Sequence, residues 1–588
     1  MMVRRALSFL LWAWLGLLLI GCNIHAVQST PPPLDAPATA VASLPDPAPL
    51  VTDLAPSPTP TDAPATVTPL PLPTPTAVQG DLSIYPGDVR IYPAPEVYAG
   101  DRVSFQLQPY VPDVISVNEV PVAIYVNDQL VVSDTLASRN WAGLAEGVYQ
   151  WVWDTADQVG DHEIRVVLDE QDRITLGDEN LANNEAVFTV TVLDPRLLRP
   201  VEASATWITA ETNCCIVYAI SGTAAYRDLP ELLGVVETAV NTAAVRLSVE
   251  PESKPRIYFI DRVIGQGGYA GSGMVVSYVD RQYAGGALHE LLVHEAVHIL
   301  DRQFAPQRIK LLAEGVAVWA SGGHYKPEDL YERAAALLTM GEYIPLAPLA
   351  DDFYPTQHEI GYLEAAAFVS YLIDTYGWSA FRDFYSNTTS NTAATDSAAL
   401  DLNLQRYYGK TLAEMESAWL DRLRAITPSS AAVRDLETTI RFYETMRRYQ
   451  ARYDPTAYFL TAWLPYPHEV IERGNPADLM RRPTDALNVT IEVMLQAAEA
   501  ALRQGDYGRA NVIIDSIARI LDNNGSFVDP LAGSYLDIVQ TVTGLGYNVK
   551  QVDLQGRTAI VMATLVNKNN LLRLNLQLSG RGWVILAN

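Results

Sequence analysis

The sequence predicts a multidomain chain. A β-sandwich over 81–195 precedes an α+β domain over 200–428, a helical region over 429–525 and a small α+β unit over 526–588. Three observations predict this. Apolar and polar residues alternate at strand period through the first segment. The second runs strand, helix, strand, strand and then several helices. From 429 the spacing turns helical, then returns to strand period near the end.

Ahead of these lie two segments of different texture. In "MMVRRALSFLLWAWLGLLLIGC", Arg4 and Arg5 precede an apolar run from Ala6 to Gly21. This is the pattern of a signal peptide, short of the roughly 20 residues of a spanning helix. Its end, Leu19-Ile20-Gly21-Cys22, resembles a bacterial lipobox. That resemblance implies cleavage over 1–22, a lipid on Cys22 and membrane attachment through it. An uncleaved anchor is the alternative. Both readings expect the rest of the chain outside the cytoplasm. Residues 23–80, rich in Pro, Thr and Ala, cannot bury enough apolar surface to fold. They are expected to form an extended stalk of about 3.1 Å per residue.

The sandwich is read from "VSFQLQPYV", "VAIYVNDQLVV", "VYQWVWDT", "HEIRVVLD" and "AVFTVTVL", separated by turn signals. On "VNDQLV", "GDHEIRVVLD" and "GDENLANNEAVFTVTV" it resembles the CARDB-type immunoglobulin-like modules of exported bacterial proteins. Such modules space or adhere. In the α+β domain, "CCIVYAIS", "PRIYFID" and "GMVVSYV" read as strands. The spacing predicts helices over 286–303, 306–322, 327–340, 359–376 and 411–426. The chain has three cysteines. A bridge between the neighbours Cys214 and Cys215 would fall below the usual Cα separation of about 4.4–6.8 Å, so they read as small buried strand residues. Past 526, "YLDIVQTVTGLG" reads as a helix, and "TAIVMATLV", "LLRLNLQLS" and "GWVILAN" as a small antiparallel sheet.

A formal net charge of −27 argues against nucleic acid as a partner. Chemistry concentrates in "LLVHEAVHIL", 291–300, which holds two of the chain's eight histidines. Residues four apart share a helix face, so His294 and His298 can aim at one point. Zinc binds imidazole at about 2.0–2.1 Å, within reach of two adjacent turns. Glu295 then lies beside the metal, placed to take a proton from an activated water. A catalytic zinc also needs a third protein ligand. "LLAEGVAVWASGG", 311–323, offers Glu314 on a helix that follows the turn at Pro306.

These stretches together resemble the gluzincins, especially bacterial proteins with a peptidase MA-like domain and, more distantly, the M1 aminopeptidases with their "WLxEGxA". The resemblance covers about 220 residues. It implies a thermolysin-like α+β fold, a Zn2+ cofactor held by His294, His298 and Glu314, and Glu295 as general base. In "GYLEAAAFVSYLIDTYG", 361–377, Tyr362 matches the tyrosine that M1 enzymes use to stabilise the oxyanion. M1 enzymes also hold the substrate's α-ammonium with a glutamate from a "GxMEN" strand. The stretch read as its equivalent, "YAGSGMVVSYV", 269–279, keeps Gly273 and Met274 but continues Val275-Val276. Asp280 or Glu359 would have to supply that carboxylate from elsewhere.

The expected function is an extracytoplasmic zinc metallopeptidase, an endopeptidase acting on peptide or protein substrates. The rival reading is a surface-anchored binding or scaffold lipoprotein with an inactive peptidase-like domain.

Overall fold

The computed structural model describes residues 80–586 except 141, 357, 464 and 567. The expected signal peptide, Cys22 and almost all of the stalk lie outside the described residues. Among the described residues no helix is long and apolar enough to cross a membrane.

The first module is a sandwich of two sheets. One pairs Val89–Tyr92, Arg102–Leu107, Ala145–Asp154 and Ser138–Arg139 in that order. The other runs Val97–Tyr98, Glu185–Leu193, Gly160–Leu168, Pro121–Val126, Gln129–Thr135. Along Ala145–Asp154 every second side chain is buried, as period-two patterning requires. The inner faces meet in a core that includes Val103, Phe105, Ile124, Trp153 and Ile164.

The second domain holds a five-stranded mixed sheet. Its strands are β1 (Trp207–Glu211), β2 (Ile216–Ile220), β3 (Arg256–Ile260), β4 (Gly268–Ala270) and β5 (Met274–Ser277), in the spatial order β1-β2-β3-β5-β4. β2, β3 and β5 are parallel, and the outer strands β1 and β4 are antiparallel to their neighbours. Helix α1 (Leu229–Leu247) connects β2 to β3. Helices α2 (Leu288–Leu300), α3 (Lys310–Ser321) and α4 (His358–Tyr376) follow. One apolar core joins all four helices to the sheet through residues such as Val236, Phe259, Val297, Val316 and Phe368.

Cys214 and Cys215 depart from expectation. They are disulfide-bonded to each other and sit in the turn between β1 and β2 rather than in a strand. Thr212 N donates to Cys215 O at 2.9 Å, and Cys215 N donates to Thr212 Oγ1 at 3.1 Å. A strand would point neighbouring side chains to opposite faces. The turn releases that constraint.

The C-terminal region begins with α5 (Ser430–Tyr453) and continues through Ala486–Arg503, Tyr507–Asp522 and Pro530–Gly544. A four-stranded antiparallel sheet ends it, and its first strand, Tyr547–Gln555, was not among the three read from the sequence. Only two of that strand's nine residues, Val549 and Val552, are buried, and a bulge between Val549 and Gln551 breaks the period. These helices and strands share one core, which also takes in Val263, Val279, Tyr283 and Ala284 from the second domain.

The stretch 454–482 carries the sandwich. Trp463 N donates to Tyr92 Oη at 3.0 Å, with the two rings 5.1 Å apart edge to face. Trp151 Nε1 donates to Asp478 Oδ2 at 2.9 Å. The Arg481 guanidinium bridges Asp101 of the sandwich and Glu202 of the second domain, its side chain 2% exposed. Removing one partner of a buried charge cluster strands the others and costs about 3–5 kcal/mol. Arg481→Ala is therefore expected to lower the first unfolding transition in calorimetry. An unchanged thermogram would show that the sandwich is held by its other contacts.

Candidate metal centre

α2 buries Leu292, Val293, Ala296, Val297 and Leu300 against the sheet and α1. The helical period leaves His294, Glu295 and His298 directed to one cavity, where all three are lining residues. The chain then turns through Asp301–Gln303 and Pro306. This turn is pinned from inside. Asp301 is fully buried, ion-paired to Arg308 at 2.9 Å, and accepts from Tyr385 Oη at 2.6 Å. Arg308 also donates to the carbonyl of His298 at 3.1 Å. The end of α2 and the start of α3 are thus fixed to each other.

On α3, Glu314 faces the histidines. Its neighbour Gly315 lets α3 lie against α4, because a Cβ there would stand 2.7 Å from the carbonyl oxygen of Ala365. Any larger residue would push α3, and Glu314 with it, away from the cavity.

The three donor atoms form a small triangle. His294 Nε2 to Glu314 Oε2, His298 Nε2 to Glu314 Oε2 and His294 Nε2 to His298 Nε2 are each 3.2 Å. A tetrahedron with metal–ligand bonds of about 2.0–2.1 Å has edges of about 3.3 Å, so the spacing fits zinc, and so does the His-His-carboxylate donor set. Among the described residues this is the cluster of three or more His, Cys, Asp or Glu side chains that could hold a metal ion. The histidine side chains are 13% exposed and Glu314 7%.

The electrostatics follow from burial. Burial alone would raise the pKa of Glu314, but the charge on His298 and hydrogen bonds from both imidazoles hold it well below the usual carboxylate range. Burial opposes a charge on His298, yet Glu314 outweighs it and raises that pKa to about 8. Glu295 is buried and its pKa is raised, chiefly by desolvation. Gly268 of β4 approaches it closely, since a Cβ there would lie 3.7 Å from Glu295 Cγ.

Tyr362 lines the same cavity. Its ring stacks with those of His294, at 6.2 Å, and His324, at 4.6 Å. Burial, and then the charge of Glu314, push its hydroxyl pKa well above the ordinary value, so it stays a proton donor. The hydroxyl that touches the donor triangle is instead that of Tyr354, which donates to Glu314 Oε1 at 2.8 Å. Sequence reasoning missed it, although a tyrosine eight residues before Tyr362 was there to be weighed. His324 and His358 also enter the cavity. Both ring nitrogens of His324 are buried without a hydrogen-bond partner among the described residues. His358 Nε2 faces the Tyr354 carbonyl at 3.1 Å, so it carries the proton, and Nδ1 accepts from Gln266 Nε2 at 2.6 Å.

The cavity has a volume of about 500 Å³. β4, the sheet's outer strand, forms one wall through Gly268, Tyr269 and Ala270. The sequence placed the cleft strand at 269–279. That stretch holds the last two residues of β4, Tyr269 and Ala270, then the hairpin turn and the inner strand β5, whose Met274–Ser277 is buried. Neither Asp280 nor Glu359 reaches the cavity lining. Asp280 pairs with Arg227 and Lys550. Glu359 pairs with Arg447 and accepts from Tyr325 Oη. Phe459, from the stretch that also carries the sandwich, lines the cavity too, next to Gly265.

No family model matches the sequence, and no curated protein matches it. The solved CARDB domain of PF1109 from Pyrococcus furiosus is similar at 22% identity, over 19% of this chain and 94% of that one, with a TM-score of 0.15. An M1 zinc metallopeptidase from Deinococcus radiodurans is similar at 14% identity, over 58% and 94%, with a TM-score of 0.29. Native yeast LTA4 hydrolase is similar at 11% identity, over 76% and 84%, also at 0.29. At these TM-scores the likenesses assign no chemistry to this chain.

A ligating imidazole must be neutral, so metal binding displaces the proton that His298 holds below about pH 8. Zinc affinity is expected to rise with pH up to that value and then level off, with proton release visible by calorimetry in two buffers. His298→Ala should bind no stoichiometric zinc, and equal zinc in both proteins would exclude the site.

Proposed function

We propose that the chain is a zinc-dependent metallopeptidase that cuts extended polypeptides internally. The carrying observation is the triangle of donor atoms, 3.2 Å on each side, with the buried carboxylate of Glu295 beside it in one cavity. Zinc held by His294, His298 and Glu314 would supply Lewis acidity to the substrate carbonyl and acidify water toward a pKa of about 7. Glu295 takes the proton of the attacking water and later delivers it to the leaving amine. Tyr362 donates to the oxygen on which negative charge develops. β4, as the outer strand, presents its edge to an extended substrate backbone.

The internal cut is supported by what lines the cavity. An aminopeptidase must pair the substrate's α-ammonium with a carboxylate. The only carboxylates among the described lining residues are Glu295 and Glu314, and both have other work in this mechanism.

Glu295→Gln is expected to keep zinc and the fold and to cleave unstructured casein about 10²–10⁴-fold more slowly, the usual contribution of a general acid–base group. Wild-type activity should vanish with a chelator, and a peptide and its N-acetylated twin should be cut at the same internal bond. Release of single residues from the free peptide alone would make the enzyme an aminopeptidase. Wild-type rates in the Gln variant would remove Glu295 from the base role.

The same proposal places the enzyme outside the cytoplasm, on a lipid at Cys22. The support is the sequence pattern at 1–22 alone. A Cys22→Ser protein should lose its lipid and remain unprocessed. Wild-type lipid labelling in that variant would exclude the assignment.

A further inference from the structure

One end of the cavity is cationic, in a chain whose 68 acidic residues outnumber its 41 lysines and arginines. Arg302, Arg308 and Lys310 all line it, next to His298 and Glu314. Arg308 is neutralised by the buried Asp301 at 2.9 Å. The other two are not neutralised. Among the described residues Arg302 and Lys310 enter no ion pair, while the described structure holds many others. Both are exposed. Lys310 Nζ lies over the ring of Tyr354 at 5.3 Å. Arg302 donates to the carbonyls of Ala270 and Gly271, at the end of β4. Partial burial, and then the charge of Arg308, hold its pKa below the ordinary arginine value, so the like charges feel one another.

The other end of the cavity is uncharged. It is lined by Ile264, Gln266, Tyr325, His358 and Phe459, and burial holds His358 neutral, with its pKa down at about 3. An extended chain lying along β4 therefore meets neutral surface at one end and two uncompensated cations at the other. Gly268 lies against Glu295, whereas Arg302 reaches the strand's far end at Ala270 and Gly271. A strand rises about 3.3 Å per residue, so Arg302 stands some two or three residues from the bond beside Glu295.

We propose that this cavity selects extended peptides bearing a carboxylate two or three residues from the cut bond, paired by Arg302 and Lys310. The inference rests on the metallopeptidase reading for the word "cut", but not for the binding. The carboxylate is either an acidic side chain or the C-terminus of the peptide. Unpaired cations lining a cavity attract such groups, and hydrogen bonds between ionised partners exceed neutral ones.

The test uses the full zinc-loaded protein and one peptide frame. A glutamate is walked from three residues before to three residues after the cut bond, with a glutamine twin at each position. Each peptide is made with a free and an amidated C-terminus. Cleavage is measured as kcat/KM on the wild type, and binding by fluorescence anisotropy on Glu295→Gln. At one position glutamate should exceed glutamine by about tenfold in both measurements, the scale of a charge-assisted hydrogen bond. If amidation rather than the walked residue produces the loss, the C-terminus is the carboxylate. Lys310→Glu and Arg302→Gln, at unchanged zinc content, should erase or invert the preference. Binding that ignores the carboxylate, or a preference untouched by both variants, would overturn the inference. Carboxylate-dependent binding without any cleavage would keep it and remove the peptidase reading instead.

Discussion

Three polar side chains buried together around a point are the constraint on which the second domain depends. His294, His298 and Glu314 lie within 4.8 Å of one another under an apolar core. Burying such groups is costly unless they are paired or hold a metal. Their mutual pairing sets the protonation pattern, with Glu314 ionised and His298 charged below about 8. It also dictates backbone geometry. Glu314 reaches the histidines only because the turn between α2 and α3 is fixed by Asp301 and Arg308. It also needs Gly315 to let α3 settle on the carbonyl of Ala365. A polar triad thus determines how closely two apolar helices pack.

The stretch 454–482 links regions that the composition keeps apart. Phe459 forms a wall of the cavity, Tyr269 Oη donates to the Pro465 carbonyl at 3.0 Å, and Trp463 and Asp478 hold the sandwich. Gly265 N donates to the Ala457 carbonyl just ahead of β4. The sandwich and the outer strand of the cavity are therefore fastened to one piece of chain. A module that the sequence suggests for spacing or adhesion shares the support of the cleft.

What the sequence disclosed and what it withheld divide along sequence distance. The histidine pair and Glu295 are legible because one helix turn sets their geometry. Glu314 is legible because only a short turn separates it from them, and Tyr362 only by resemblance to a known pattern. Tyr354, His324, Gln266 and Phe459 were not legible. Each arrives through packing between elements far apart in the chain, and no periodicity encodes that. The Cys214–Cys215 bridge was set aside because neighbouring Cα atoms lie closer than the usual disulfide range, yet the pair is bonded within a turn. The stretch read as the cleft strand, 269–279, takes in only the last two residues of β4 before it runs into β5. "GMVVSYV" has the stronger strand pattern, so it forms the buried inner strand, and the glycine-rich "GQGGYA" before it forms the edge.

That last displacement bears on specificity. A glycine on an edge strand lets other groups lie close, and here Gly268 lies against Glu295. The one large side chain of β4, Tyr269, has its hydroxyl engaged by the Pro465 carbonyl. Discrimination has to come from the groups around the strand: the neutral wall at Phe459 and His358, and the cations at Arg302 and Lys310. The chain thus separates two tasks. On this proposal the backbone edge of β4 accepts an extended polypeptide, and charge at one end of the cavity decides which polypeptide stays.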